Sequence, residues 1–290
     1  MSKFQAVRTN PDKFHLSQLP YLLFVLPFAA IMMLPLAYIF NHAFKPFDEL
    51  IEYPPRFLVQ RPTWDNFIEL FAASTTTGIP VSRYLFNSIV ITLLVVFFSI
   101  FLSSITGYAL SKMKFHVSKL LSEINTIAMM FVGTAVIIPR YIITESFGLV
   151  DTFWVHIIPS LAVPIGLFLI KQFIDQIPNE LIEAAKIDGA NHFTIYLKII
   201  LPLIKPALAT IAILSFQAVW NNADVSATYI NSDSLRTFAY YMSTLSSSSN
   251  QVVGIGMSAA ASLIMFLPNL IIFIFLQSKV MNTMAHSGIK

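Results

Sequence analysis

Apolar residues fill this chain in long, charge-free stretches, and clusters of polar residues separate them. The stretches are Phe14 to Phe44, Tyr84 to Ser111, Ile124 to Pro139, Thr152 to Ile170, Pro206 to Ala223 and Thr237 to Ser278. A helix needs about 20 apolar residues to cross the hydrocarbon core of a bilayer. Trimmed at their polar ends, the six stretches predict spans near 19–41, 85–110, 120–143, 153–173, 202–222 and 256–277. Backbone groups in lipid have only each other as partners, so each span is read as a helix. The expected fold is all-α, a polytopic membrane protein with six transmembrane helices. Prolines recur inside the spans, at 27, 35, 159, 164 and 268, and they predict bends rather than straight rods.

Composition supports the same class. Of the 290 residues, 56% are apolar and 11% charged, with a mean hydropathy of +0.71, whereas soluble domains carry about 25% charged residues. The net charge of +3 comes from Lys and Arg scattered along the chain, so no basic face for nucleic acid is expected. The chain has no Cys, which excludes disulfides, thiolate metal sites and a thiol nucleophile. Six His residues (His15, His42, His116, His156, His192 and His286) show no metal-ligand spacing and read as loop or interfacial residues. Met1 to Lys13 is polar, and the apolar run after it is too long for a cleaved signal and lacks a small-residue cleavage site. That segment is expected to stay as a signal anchor.

Basic residues orient the spans. With the N-terminus inside, twelve basic residues fall on the cytoplasmic side (Lys3, Arg8, Lys13, Lys112, Lys114, Lys119, Lys171, Lys186, Lys198, Lys205, Lys279, Lys290). Six fall outside: Lys45, Arg56, Arg61, Arg83, Arg140 and Arg236. Both termini are therefore expected in the cytoplasm. The division is a cytoplasmic N-terminal segment over 1–18, a six-helix membrane domain over 19–277 with a cytoplasmic loop at 174–201, and a cytoplasmic tail over 278–290. Two outer loops are long. In 42–84, Thr63 is placed to cap a short helix with Asn66 and Phe67 in its first turn. The other, 223–255, contains Ser246 to Ser249 and is expected to be a binding element or simply mobile.

The cytoplasmic loop carries the most specific pattern. Pro178 cannot continue the preceding helix but suits the first turn of a new one. Asn179 to Asp188 are good helix formers, with Glu180 and Glu183 toward the positive end of the dipole. Leu181, Ile182, Ala185 and, at the edge, Ala184 share one broad face, and Gly189 is placed as the stop. A second short helix is expected over about 191–198, and Pro202 is expected to open the fifth span. The prediction is a helix–turn–helix across the cytoplasmic side, in which the Ala pair admits a close backbone and Glu183 offers charge to a basic partner. An ordinary interfacial amphipathic hairpin would share the helix, the alanines and the glycine.

The spacing Glu183-Ala184-Ala185, three residues, Gly189, nine residues, Ile199-Ile200-Leu201-Pro202 resembles the EAA loop of membrane subunits of binding-protein-dependent ABC importers. Ile138-Pro139, Phe147-Gly148-Leu149, Ile177-Pro178-Asn179-Glu180-Leu181-Ile182-Glu183 and Trp220-Asn221 extend the resemblance to the carbohydrate-type, maltose-permease G-like group. Ile187-Asp188-Gly189-Ala190 and the terminal Ala285-His286-Ser287-Gly288-Ile289-Lys290 are also similar to that group. The likeness is sharp from 138 to 222 and diffuse over the first 80 residues.

This resemblance implies the type I ABC importer permease fold in a bacterial inner membrane. It implies a second permease subunit, a dimer of ATPases holding ATP and Mg, an extracellular solute-binding protein and a carbohydrate cargo. The ATPase would dock on Glu183, Ala184, Ala185, Asp188 and Gly189. Trp220 and Asn221, at the outer end of the fifth span, are nominated to meet the solute by stacking and amide hydrogen bonds. The 223–255 loop resembles the region that reaches toward the binding protein.

What is missing narrows the chemistry. No Gly is followed by Lys, so there is no phosphate loop of the Walker type. Catalysis and bound cofactors are not expected of this chain. Glu123, near the edge of the third span, is read as snorkelling or pairing with Lys119, the other reading being a functional acid. A self-sufficient secondary transporter or channel would place charges in mid-membrane, where this chain has almost none. A polytopic membrane enzyme would need a catalytic cluster near one membrane face, and none stands out.

Overall fold

Every regular element of the described chain is helical. The computed structural model describes residues 18–73, 78–113, 115–247 and 251–287, with the backbone alone at 246–247, 251–253 and 278–287. Residues 1–17, 74–77, Lys114, 248–250 and 288–290 lie outside that set, and with them most of the expected N-terminal segment, part of the serine run and the end of the tail.

The elements run α1 (Leu19–Phe44), α2 (Phe47–Leu50), α3 (Asp65–Ala72), α4 (Val81–Lys112), α5 (Ser118–Ala128), α6 (Ile137–Ser146) and α7 (Pro164–Asp175). They continue with α8 (Asn179–Ile187), α9 (His192–Ile195), α10 (Leu201–Leu203), α11 (Lys205–Trp220), α12 (Asp224–Tyr229), α13 (Phe238–Ser247) and α14 (Gln251–Ser287). Four segments are long and apolar enough to cross a membrane: Leu19–Phe44, Val81–Lys112, Phe153–Asp175 and Gly254–Gln277. The remaining two crossings would each be a bent pair, α5 with Gly133–Ser146 at 109° and His192–Leu203 with α11 at 79°.

Proline explains much of this departure from straight spans. Pro206 lacks an N–H for the Pro202 carbonyl and its ring crowds that turn, so the helix breaks at Ile204. Pro202, expected to open the fifth span, instead lies inside the preceding helix, behind a π turn at Tyr196–Ile200. Pro159 and Pro164 leave the first half of the fourth span as 3-10 turns, Phe153–His156 and Ile158–Ser160, before α7 begins. The bend between α5 and α6 contains no proline; a 3-10 turn starting at Gly133 follows it.

The two largest buried clusters lie in different parts of the bundle. One joins Leu70, Val81, Tyr84, Phe216, Trp220, Phe238, Ala260, Ala261 and Met265. The other joins Tyr108, Ile170, Ile174, Ile182, Ile195, Tyr196, Ile200, Ile204 and Ile211 at the opposite end of the bundle. α4 enters both. Where α4 meets α7 the backbones are so close that a Cβ on Gly107 would fall 2.5 Å from Ile170 Cγ2. α1 is different: it packs on α14 and α3, yet none of its residues from Leu19 to Asn41 is buried.

The segment between α1 and α4 is tied by side chains. Glu49 accepts from the backbone N–H of Gln60 at 3.0 Å and of Arg61 at 2.9 Å, which holds its carboxyl below the usual range. Asn66 donates to the carbonyls of His42, Ala43 and Lys45, closing the end of α1. Thr63 does not cap α3. Trp64 occupies that position, and the Thr63 hydroxyl is buried without a partner.

The described part of 223–255 folds into α12, a 3-10 turn, α13 and the start of α14. The expected tail after 277 continues as helix to Ser287. Glu123 is exposed and makes no ion pair with Lys119.

Candidate docking loop and pathway residues

α8 is launched by Pro178, whose φ of −58° and ψ of 139° turn the chain out of the preceding helix. Its inner face is narrower than the pattern suggested. Ile182 is buried and Ala185 packs on the second cluster, while Leu181 and Ala184 point outward. Gly189, at φ +81°, ends the helix in the left-handed region that glycine reaches without strain. Gly189 N–H donates to the Lys186 carbonyl at 3.0 Å and Ala190 N–H to the Ala185 carbonyl at 2.9 Å, which together make a Schellman cap. Asn191 then caps α9, its Oδ1 accepting from Thr194 N at 2.8 Å.

The outer surface of this turn consists of Glu183, Ala184, Lys186, Asp188 and Gly189. Glu183 has no ion-pair partner among the described residues. Ile187, 86% exposed, and Phe193, 61% exposed, flank these polar groups. The five nominated residues are therefore brought together on one turn, although Ala185 faces inward. Ile187 was not singled out from sequence; its place between Lys186 and Asp188, at the end of a short amphipathic helix, was the available signal.

Trp220 is not open to a solute. It is 4% exposed, stacks on Phe216 at 5.6 Å between centroids, and donates its indole N–H to the Met265 carbonyl at 3.0 Å. The sugar-stacking role expected of it is corrected accordingly: the ring faces are covered and the polar handle is spent inside the chain. Asn221 is exposed and trades amide hydrogen bonds with Asn269, at 3.2 and 3.4 Å. Asn269 lies well inside the α14 crossing, so the pair joins the C-terminal end of α11 to the middle of α14. Asn269 was missed from sequence because a single amide in an apolar run has no pattern.

A cavity of about 400 Å³ opens between α4, α5 and the start of α7, lined by Ser103, Thr106, Asn125, Leu161, Pro164 and Leu167. His156 is buried rather than interfacial, bonded to the Leu235 carbonyl at 3.2 Å. His192 bonds Tyr108 at 2.9 Å.

Known proteins show what this geometry belongs to. Residues 16–278 match the family model described as binding-protein-dependent transport system inner membrane component. The polygalacturonan/rhamnogalacturonan transport system permease protein YtcP of Bacillus subtilis (strain 168) is 31% identical over 208 residues, covering 72% of this chain and 70% of the relative. The arabinooligosaccharides transport system permease protein AraQ of Halalkalibacterium halodurans is 30% identical over 268 residues, 90% of this chain and 92% of the relative. In structure, a bacterial ABC transporter involved in import of the acidic polysaccharide alginate is similar with a TM-score of 0.78. It is 20% identical and covers 92% of this chain and 98% of its own, which shows the shared fold. This chain therefore belongs to the inner membrane component family of binding-protein-dependent transport systems, with that family's helical permease fold.

Proposed function

We propose that this chain forms one half of a translocation pathway for a carbohydrate, an oligosaccharide or sugar derivative, handed over by an extracellular solute-binding protein. A second permease supplies the other half. A separate ATPase dimer, holding ATP and Mg, supplies the energy, and this chain is neither catalytic nor cofactor-bound. The chain lies in a bacterial inner membrane with both termini in the cytoplasm.

One observation carries the reading: the capped, solvent-facing turn over Glu183–Gly189, wedged between apolar helices and carrying Ile187 bare. Exposed Ile187 and Phe193 beside Glu183, Lys186 and Asp188 make a mixed apolar and charged face, which suits a protein partner. The oligosaccharide and polysaccharide transport names of the relatives favour a saccharide cargo.

In the proposed cycle, closure of the ATPase dimer shifts the docked α8. That shift moves the spans between inward- and outward-facing states, which requires ATP to favour one state over the other. Asn221 and Asn269 are the polar pair proposed to meet sugar hydroxyls on the way.

The test is a pull-down from the native membrane with Gly189→Val and Gly189→Asn. Asn tolerates the left-handed region, whereas a β-branched residue there is a strained outlier. Open space surrounds the site, so only backbone strain separates the two variants. Loss of ATPase and uptake with Val, and retention with Asn, is expected. Full coupling with Val would sink the docking assignment.

A further inference from the structure

Among the described residues, α4 is the one crossing with neither proline nor break. α1 contains Pro27 and Pro35, α14 contains Pro268, the fourth span starts as 3-10 turns, and the other two are bent pairs. At 32 residues, α4 is about 48 Å long.

Both of its ends are fastened by side chains. At the docking-loop end, Lys112 Nζ donates to the Ile177 carbonyl at 2.6 Å and to Asn179 Oδ1 at 2.9 Å. Ser111 donates to Asp175, which also pairs with Lys171 at 2.7 Å. Those contacts hold the entry to α8. The exit is held by Tyr108 with His192 Nδ1 at 2.9 Å and by Ser104 with the Tyr196 hydroxyl at 2.7 Å.

At the far end, Asn87 Nδ2 donates to the carbonyls of Ser234 at 2.8 Å and Arg236 at 2.9 Å. Ser88 Oγ accepts the Phe238 backbone N–H at 2.8 Å. Asn87, Ser88 and Ser104 are buried, so water does not replace their bonds cheaply.

We infer that α4 is a strut that transmits displacement of the docking loop to the 234–238 segment on the opposite side. The inference rests on the docking reading above. A proline or a bend would absorb a push along the axis, and α4 contains neither. Asn87 and Lys112 are 25 positions apart, about 37 Å along the helix. Multiple bonds at each end leave little slack, and the Gly107–Ile170 contact keeps α7 moving with the strut. Coupling of binding free energies is reciprocal, so a protein seated on the 234–238 side biases the docking loop in turn.

The natural absence of Cys permits single-site labelling. Fluorescent labels at Lys198→Cys, near the docking loop, and Asn231→Cys, near the far segment, are read in the assembled complex with its other cysteines removed. ATP with vanadate is expected to shift both labels. In Asn87→Leu/Ser88→Ala the Lys198 label is expected to shift as before and the Asn231 response to be lost. Ser88→Ala alone, which removes one bond, replaces the pair if the double variant does not assemble, and a reduced Asn231 response is expected there. An undiminished Asn231 response in these variants overturns the strut. A Lys198 label silent to ATP in the otherwise unaltered complex instead overturns the docking reading, and the strut's drive with it.

Discussion

The indole N–H of Trp220 is bonded to the main-chain oxygen of Met265 at 3.0 Å, within the turn of α14 that leads to Pro268. Asn269 Nδ2 donates to the same oxygen at 2.9 Å. Trp220 thus fastens α11 to α14 where α14 carries its proline. Trp220→Phe keeps the stack on Phe216 and loses the bond, an expected cost of about 1–2 kcal/mol. Trp220→Ala is expected to cost about 3–5 kcal/mol. Thermal unfolding in mild detergent measures both. The uptake KM of the folded Phe variant should be unchanged; a shifted KM at unchanged stability would put the indole against solute after all.

Gly107 predicts a coupled pair. A Cβ there meets Ile170 in a packed interface, so Gly107→Ala is expected to destabilise by about 1–3 kcal/mol. Ile170→Ala opens a cavity and costs about 2–5 kcal/mol by itself. Together they should cost less than their sum, because the second removes the atom that the first strikes. Additive losses in a double-mutant cycle would mean that the two helices separate rather than clash.

Asp151 supplies a pH signature. Its Oδ1 accepts the backbone N–H of Ser232 at 2.8 Å and of Asn231 at 2.9 Å, and its Oδ2 accepts the Ser232 hydroxyl at 2.7 Å. These bonds, the Ser232 backbone foremost, hold its carboxyl below the usual carboxylate range. A depressed folded value means stabilisation that is complete above the unfolded value, near pH 4, and lost as pH falls through the lower folded one. Protection of the 231–232 amides, exchange measured against the intrinsic rate at each pH, should therefore be high at neutral pH and fall in acid, and Asp151→Ala should be weakly protected throughout. A variant as protected as the parent at neutral pH would dismiss the clamp.

Gly256 tests the closure at the end of α1. A Cβ there would strike the Asn66 amide, 2.7 Å from its Cγ, and push it off the carbonyls it closes. Gly256→Ala is expected to lower the unfolding temperature by several degrees, and Asn66→Ala in the same chain should add little more. An undiminished effect of Asn66→Ala in the Gly256→Ala background would show that the two residues act separately.

Long apolar runs made the helical class legible, because a span must be both long and nearly uncharged. The turn at Gly189 was legible for a local reason: its helix formers, proline and glycine state their conformations without tertiary help. The place of the break in the fifth span was not. Pro202 reads as its opening, and only the packed structure shows the break at Ile204 ahead of Pro206. Trp220 was nominated to meet the solute from its position near a span end, since composition does not reveal which face α14 would cover. Asn269, Tyr108 and Ser104 acquire meaning from partners 48, 84 and 92 positions away, beyond the reach of any local pattern.

α1 leaves a consequence of its own. A span that buries none of its residues from Leu19 to Asn41 obtains its solvation from whatever surrounds it, be it acyl chains, detergent or a neighbouring chain. Anything that covers it in the native state adds to stability by mass action. The unfolding temperature of the purified chain is then partly a property of its amphiphile. Swapping a thick lipid disc for short-chain detergent should loosen α1 first and leave the Tyr108 and Trp220 clusters standing, so the molecule would come apart from its first helix inward.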